Sequence, residues 1–118
     1  MSRILIAEDN ELNLKLMFDI LSTQNYEIDT ATDGEEALNK LTENKYDLLL
    51  LDLQMPKISG FEVLEKIKER NINIKTIIVS ACAMSAEIER AKALGCLEFI
   101  TKPIRLNEFL SVVKRNLG

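Results

Sequence analysis

The sequence predicts an α/β domain built on one parallel β-sheet with helices on both faces. Three observations carry this. Short aliphatic runs alternate with longer stretches of helical period, five times over, along 118 residues. Three of those runs, Ile4 to Ala7, Leu48 to Leu51 and Ile77 to Val79, are continuous rather than alternating, as strands buried on both faces are. No Pro/Gly/Ser-rich linker, repeat or low-complexity stretch interrupts the pattern, so residues 1–118 read as a single domain of ordinary size.

The elements follow in order. After the first strand, Leu12, Leu16, Ile20 and Leu21 repeat at helical spacing. Tyr26 to Ala31 mixes polar and apolar residues, which suits a strand nearer a sheet edge. Asp33 with Glu36, and Ser59 with Glu62, place a capping acceptor three residues before a carboxylate and mark two helix starts. Glu62 and Lys66 form an i,i+4 pair on the second of these. A fourth helix begins near Ser85 and stops at Gly95. Leu97 to Ile100 is the fifth strand, and Leu106, Phe109, Leu110, Val113 and Leu117 line one face of the last helix.

Composition excludes several classes. The 15 Lys+Arg against 19 Asp+Glu leave a net charge of −4, which argues against a nucleic-acid-binding face. The absence of histidine removes Ser-His-Asp and Cys-His catalysis, the common zinc sites and any role as a phosphohistidine donor. Cys82 and Cys96 are too few for a disulfide framework and read as two small buried hydrophobes. The longest apolar run, Leu48 to Leu51, is far short of the roughly 20 residues that span a bilayer. Nothing near Met1 resembles a signal peptide, so the expectation is a cytoplasmic protein with no membrane partner.

Polar residues fall at the carboxyl ends of the strands. The first run ends in Glu8-Asp9-Asn10, the third in Asp52, the fourth in Ser80 and the fifth in Thr101-Lys102-Pro103. Ligands of open α/β sheets bind beyond those ends. Taken alone, Glu8 and Asp9 suit the positive end of the next helix equally well. Lys102 alone suits the surface, and Ser80 alone a turn. Asp52 is different, because a charge directly after four leucines must face a pocket or be buried at heavy cost. Converging carboxylates repel unless a cation intervenes, and hard oxygen ligands select Mg²⁺ or Ca²⁺. A carboxylate cluster with a lysine and a hydroxyl suits phosphoryl transfer, with Asp52 placed to act as the nucleophile.

In that order and each after a strand, Glu8-Asp9-Asn10, Asp52-Leu53-Gln54-Met55-Pro56 with Gly60, Ser80-Ala81, and Phe99-Ile100-Thr101-Lys102-Pro103 resemble the receiver domain of bacterial two-component response regulators over essentially the whole chain. The resemblance implies a single doubly wound (βα)5 domain of flavodoxin-like and CheY-like topology, with strand order 2-1-3-4-5. It implies that Asp52 is the phosphoacceptor and that Mg²⁺ is held by Asp9, Asp52 and the backbone carbonyl of Gln54, with Glu8 acting through water. Ser80 and Lys102 match the residues that grip the phosphoryl group. Phe99 matches the switch aromatic, although as a residue it suits the core of an edge strand equally well. The segments Glu8 to Ile20 and Ala81 to Ile104 are similar to single-domain regulators of cell division and polarity.

The implied function is a phosphorylation-activated switch that catalyses only its own phosphorylation and dephosphorylation. A sensor histidine kinase or histidine phosphotransfer protein supplies the phosphoryl group, and a protein target binds the face around Met84 to Lys114. The switch is a monomer or a phosphorylation-dependent dimer. The alternative within the family is a receiver fragment of a larger regulator or hybrid kinase. Two other classes fit less well. A flavin or nucleotide binder needs a phosphate-cradling first loop, and here that loop is Glu8-Asp9-Asn10-Glu11. An aspartate-nucleophile phosphatase uses a second acid two residues after the nucleophile, where this chain has Gln54.

Overall fold

The computed structural model describes residues 1–81 and 84–117. Ten elements alternate along the chain: β1 (Arg3–Ala7), α1 (Glu11–Ser22), β2 (Glu27–Ala31), α2 (Gly34–Glu43), β3 (Leu48–Leu51), α3 (Gly60–Glu69), β4 (Lys75–Ser80), α4 (Ser85–Ala93), β5 (Glu98–Thr101) and α5 (Leu106–Leu117). All strand pairs are parallel, in the order β2-β1-β3-β4-β5. The fold is the CheY-like, flavodoxin-like α/β architecture that the sequence predicts.

The continuous aliphatic runs are explained by two cores, one on each face of the sheet. Successive strand residues point to opposite faces. Ile4 and Ile6 of β1 and Leu48 and Leu50 of β3 pack with Met17, Ile20, Leu21, Phe109 and Val113 of α1 and α5. Leu5, Ala7, Leu49 and Leu51 pack on the other side with Leu38, Val63, Leu64 and Ala91 of α2, α3 and α4. Each of the four β3 leucines is fully buried, which contributes about 1.5–3 kcal/mol per side chain relative to exposure. β2 is an edge strand and the least buried of the five, as its mixed pattern predicts.

Local signals mostly hold. Asp33 and Ser59 cap α2 and α3 by accepting from the N–H groups of Glu36 and Glu62. Glu36 reaches back to the Thr32 N–H at 2.7 Å, which completes a box around the α2 start. Gly95 follows α4 at φ +106°, the left-handed conformation expected of a helix-ending glycine. The Lys102–Pro103 peptide bond is cis.

Four expectations need correction, one of them at the start of α5, where Leu106 is exposed while Phe109, Val112 and Val113 are buried. Leu12 and Leu16 are exposed, and α1 instead buries Met17, Ile20 and Leu21. Leu97 is exposed, so β5 is shifted one residue toward the carboxyl end and Glu98 opens it. Lys66 pairs with Glu69 at 3.7 Å rather than with Glu62. Cys96 is buried, with its thiol pushed up by that burial, and Cys82 lies outside the described residues.

Candidate functional site

Strand order reverses between β1 and β3, and the crevice beyond their carboxyl ends holds the acidic residues. The sheet ladder itself anchors them. The Glu8 N–H donates to the Ala31 carbonyl at 2.9 Å, the Asp52 N–H to Ala7 at 3.0 Å, and the Lys102 N–H to Ser80 at 2.9 Å. Each residue is thus held by a bond that continues a strand pairing, so side chains from three strands converge without a flexible loop between them.

The resulting cavity, about 310 Å³, is lined by Glu8, Asp9, Asn10, Asn13, Asp52, Gln54, Ala81 and Lys102. Carboxylate oxygens of Glu8, Asp9 and Asp52 lie within 4.8 Å of one another. Lys102 reaches in from β5 and meets both buried acids, with Nζ 3.0 Å from Asp52 Oδ2 and 2.5 Å from Glu8 Oε1. The contact to Asp52 is an aligned hydrogen bond. That to Glu8 is an ion pair outside hydrogen-bond alignment. The other oxygens accept backbone donors, Glu8 Oε2 from the Asn10 N–H and Asp52 Oδ1 from the Gln54 N–H, each at 3.1 Å.

Electrostatics follow from this crowding. Burial pushes the Glu8 carboxyl up to about 7; Lys102 opposes that rise and the neighbouring Asp52 adds to it. Burial also works against the charge on Lys102, but Glu8 and Asp52 outweigh it and hold the ammonium above the ordinary lysine value. With all three carboxylates ionised and one ammonium among them, the cavity lacks two positive charges, the amount a divalent cation supplies. The donor set is all oxygen and includes an exposed acid, Asp9, beside two buried ones, which fits a partly hydrated Mg²⁺.

Other predicted residues sit elsewhere. Ser80 ends β4 and is fully buried, paired in register with Thr101 and tied through its carbonyl to Lys102. It does not line the cavity, although the next residue, Ala81, does. Phe99 is partly buried against the α4-side core and lines a separate groove with Ile88, Lys92 and Leu97. The segment from Met84 to Lys114 exposes Met84, Leu97 and Leu106. Asn13, a cavity residue, was not legible as one; its nearest signal is its place in the first turn of α1, directly after the Glu8-Asp9-Asn10 segment.

A larger cavity of about 580 Å³ opens at the other end of the sheet, around Tyr46, Asp47 and Ile74. Among the described residues, however, Glu8, Asp9 and Asp52 are the one group of potential metal-ligating side chains brought together. The carboxylate cluster therefore lies in the smaller cavity.

The chain is also similar to known proteins over nearly its whole length. The family profile of the response regulator receiver domain matches residues 4–114. The polar-differentiation response regulator DivK of Brucella anthropi is 39% identical over 117 residues, 98% of this chain and 95% of that protein. The response regulator TrrA of Thermotoga maritima, solved with Mg²⁺ and BeF, superposes with a TM-score of 0.87 at 35% identity, covering 98% of this chain and 99% of that one. A chain of the CheX–CheY–BeF3–Mg²⁺ complex of Borrelia burgdorferi superposes with a TM-score of 0.93 at 30% identity, covering 99% of this chain and 90% of that one.

Proposed function

The chain belongs to the response regulator receiver domain family of two-component systems, and on that premise we propose that Asp52 is the residue whose phosphorylation throws the switch. The observation that carries this is the position of its carboxylate. It is buried at the end of β3, yet one oxygen lines an open acidic cavity and is held by Lys102.

In this reading an Asp52 oxygen attacks the phosphorus of a phosphohistidine donor. The new P–O bond replaces the donor's P–N bond, and the departing imidazole takes up a proton. The chain has no histidine, so the donor is a sensor histidine kinase or a histidine phosphotransfer protein. Asp9, Asp52 and the Gln54 carbonyl would hold Mg²⁺, with Glu8 acting through water. Bound Mg²⁺ neutralises the charge that gathers on the phosphoryl oxygens. Lys102 shifts its ammonium from the carboxylates to one of those oxygens, as a point charge. The Ser80 hydroxyl donates to another.

Phosphorylation then biases a two-state equilibrium. Ser80 moving toward the phosphoryl group opens space beneath it, and Phe99 turns inward from its groove. The exposed apolar residues Met84, Leu97 and Leu106 belong to the face that a protein target reads, either as a monomer or through a phosphorylation-dependent dimer. No helix among the described residues is long and apolar enough to cross a membrane, which suits a regulator that meets its partners in the cytoplasm.

The test is intact-mass analysis after incubation with acetyl phosphate and Mg²⁺. A single phosphoryl adduct forms on the wild type and is lost with Asp52→Asn or with chelation of the metal. An adduct of equal yield on Asp52→Asn overturns the assignment.

A further inference from the structure

We propose that Asn13 is a further positioning residue of the acidic cavity, its carboxamide oxygen accepting a hydrogen bond from a water of the bound Mg²⁺. The inference rests on the metal reading above and extends it to a residue outside the motif. Asn13 stands in the first turn of α1, where its backbone N–H donates to the Asn10 side chain at 3.0 Å. Its backbone is therefore fixed by the helix cap, and it lines the cavity beside Glu8, Asp9 and Asp52. Among the described residues its carboxamide has no hydrogen-bond partner. The buried acids do not share this freedom, since Glu8 is engaged by Asn10 and Lys102, and Asp52 by Gln54 and Lys102.

A carboxamide offers two acceptor sites and two donors, and one left unengaged at a polar cavity is suited to a solvent ligand. The side of the cavity selects which. Asn13 rises from the β1 end together with Asp9 and Asn10, whereas Ala81 and Lys102 enter from β4 and β5. Asn13 thus enters the cavity from the same strand end as Asp9, the exposed acid of the cluster. Mg²⁺ sheds water reluctantly and keeps several ligands as water, whose hydrogens need acceptors. A neutral acceptor on a rigid helix turn orients such a water without adding to a site already rich in negative charge.

The experiment is calorimetric titration of the whole chain with MgCl₂. Asn13→Leu removes the acceptor while keeping the size and improving helix propensity, so it leaves the metal-free thermal midpoint at or above that of the wild type. Its Mg²⁺ affinity falls about tenfold, the low end of losses for residues that orient metal ligands. Asn13→Asp, which keeps the acceptor, binds at least as tightly as the wild type. Asp9→Asn separates this inference from its premise. If Asp9→Asn abolishes binding and Asn13→Leu stays within twofold of the wild type, the role of Asn13 is refuted and the metal site stands. If Asp9→Asn also binds like the wild type, the metal reading fails and takes this inference with it.

Discussion

Replacing Gly60 with alanine tests how the phosphoacceptor is held in place. Gly60 opens α3 directly after the Ser59 cap, and its N–H donates to the Leu53 carbonyl at 2.9 Å. A Cβ there would lie 2.4 Å from the Asp52 carbonyl oxygen, 2.6 Å from Leu53 Cα and 3.0 Å from the Asp52 carbonyl carbon. Ordinary contact begins near 3.4 Å, so the first turn of α3 and the Asp52–Leu53 peptide must separate by about 1 Å. All three obstacles are backbone atoms, and no side chain can swing aside. Overpacking of this kind costs about 1–3 kcal/mol, against a gain of about 0.4–1 kcal/mol from stiffening the unfolded chain. The net loss therefore centres on about 1.3 kcal/mol, with a span of roughly 0–2.6, read by urea denaturation. The second readout is the rate of phosphorylation by acetyl phosphate, because displacement of a reacting group by about 1 Å can cost on the order of 100-fold. Gly95→Ala is the control: Gly95 has φ +106° with nothing within 4 Å of the added Cβ, so it strains the α4 end and leaves the rate unchanged. Wild-type stability and rate in Gly60→Ala would refute the claim that α3 packing sets the Asp52 position.

Two further perturbations probe the charges. Lys102→Met leaves Glu8 and Asp52 buried without their shared cation, and removing one partner of a buried pair costs about 3–5 kcal/mol; denaturation at neutral pH without metal reads this loss, and added Mg²⁺ recovers part of it. Asp33→Ala removes the α2 cap at a cost of about 1 kcal/mol at pH 7. Asp33 is held below the ordinary carboxyl value of 3.8, chiefly by the Glu36 N–H, so its contribution is complete above that value and disappears as pH falls through the lowered one. The stability gap between wild type and Asp33→Ala therefore closes in acid, and a gap that persists at low pH contradicts the capping role.

The elements and the site core were legible because their signals are short-range. Four consecutive leucines in β3 demand burial on both faces, and the charge that follows them has only the crevice to enter. What could not be read depends on how elements meet. Leu12 and Leu16 repeat at helical spacing as convincingly as Ile20 and Leu21, yet α1 turns them to solvent and buries Met17. Apolar spacing defines a stripe, but only the angle at which a helix lies on the sheet decides which stripe is covered. Leu97 is exposed for a related reason, since β5 is an edge strand and a single residue of register decides what faces the core. Asn13 escaped notice because a carboxamide in a first helix turn has many ordinary uses. Its place in the cavity depends on how the first turn of α1 leaves the end of β1, which spacing along the chain does not reveal.

Among the converging carboxylates Glu8, Asp9 and Asp52, Asp52 is the one proposed to receive the phosphoryl group. Treating the phosphorylated chain with borohydride reduces an acyl phosphate to the alcohol, which marks the modified aspartate permanently for peptide mass mapping. Homoserine is expected at residue 52, formed only when phosphodonor and Mg²⁺ are both present, with Glu8 and Asp9 unmodified. Reduction at Asp9 or Glu8 with Asp52 intact would contradict it.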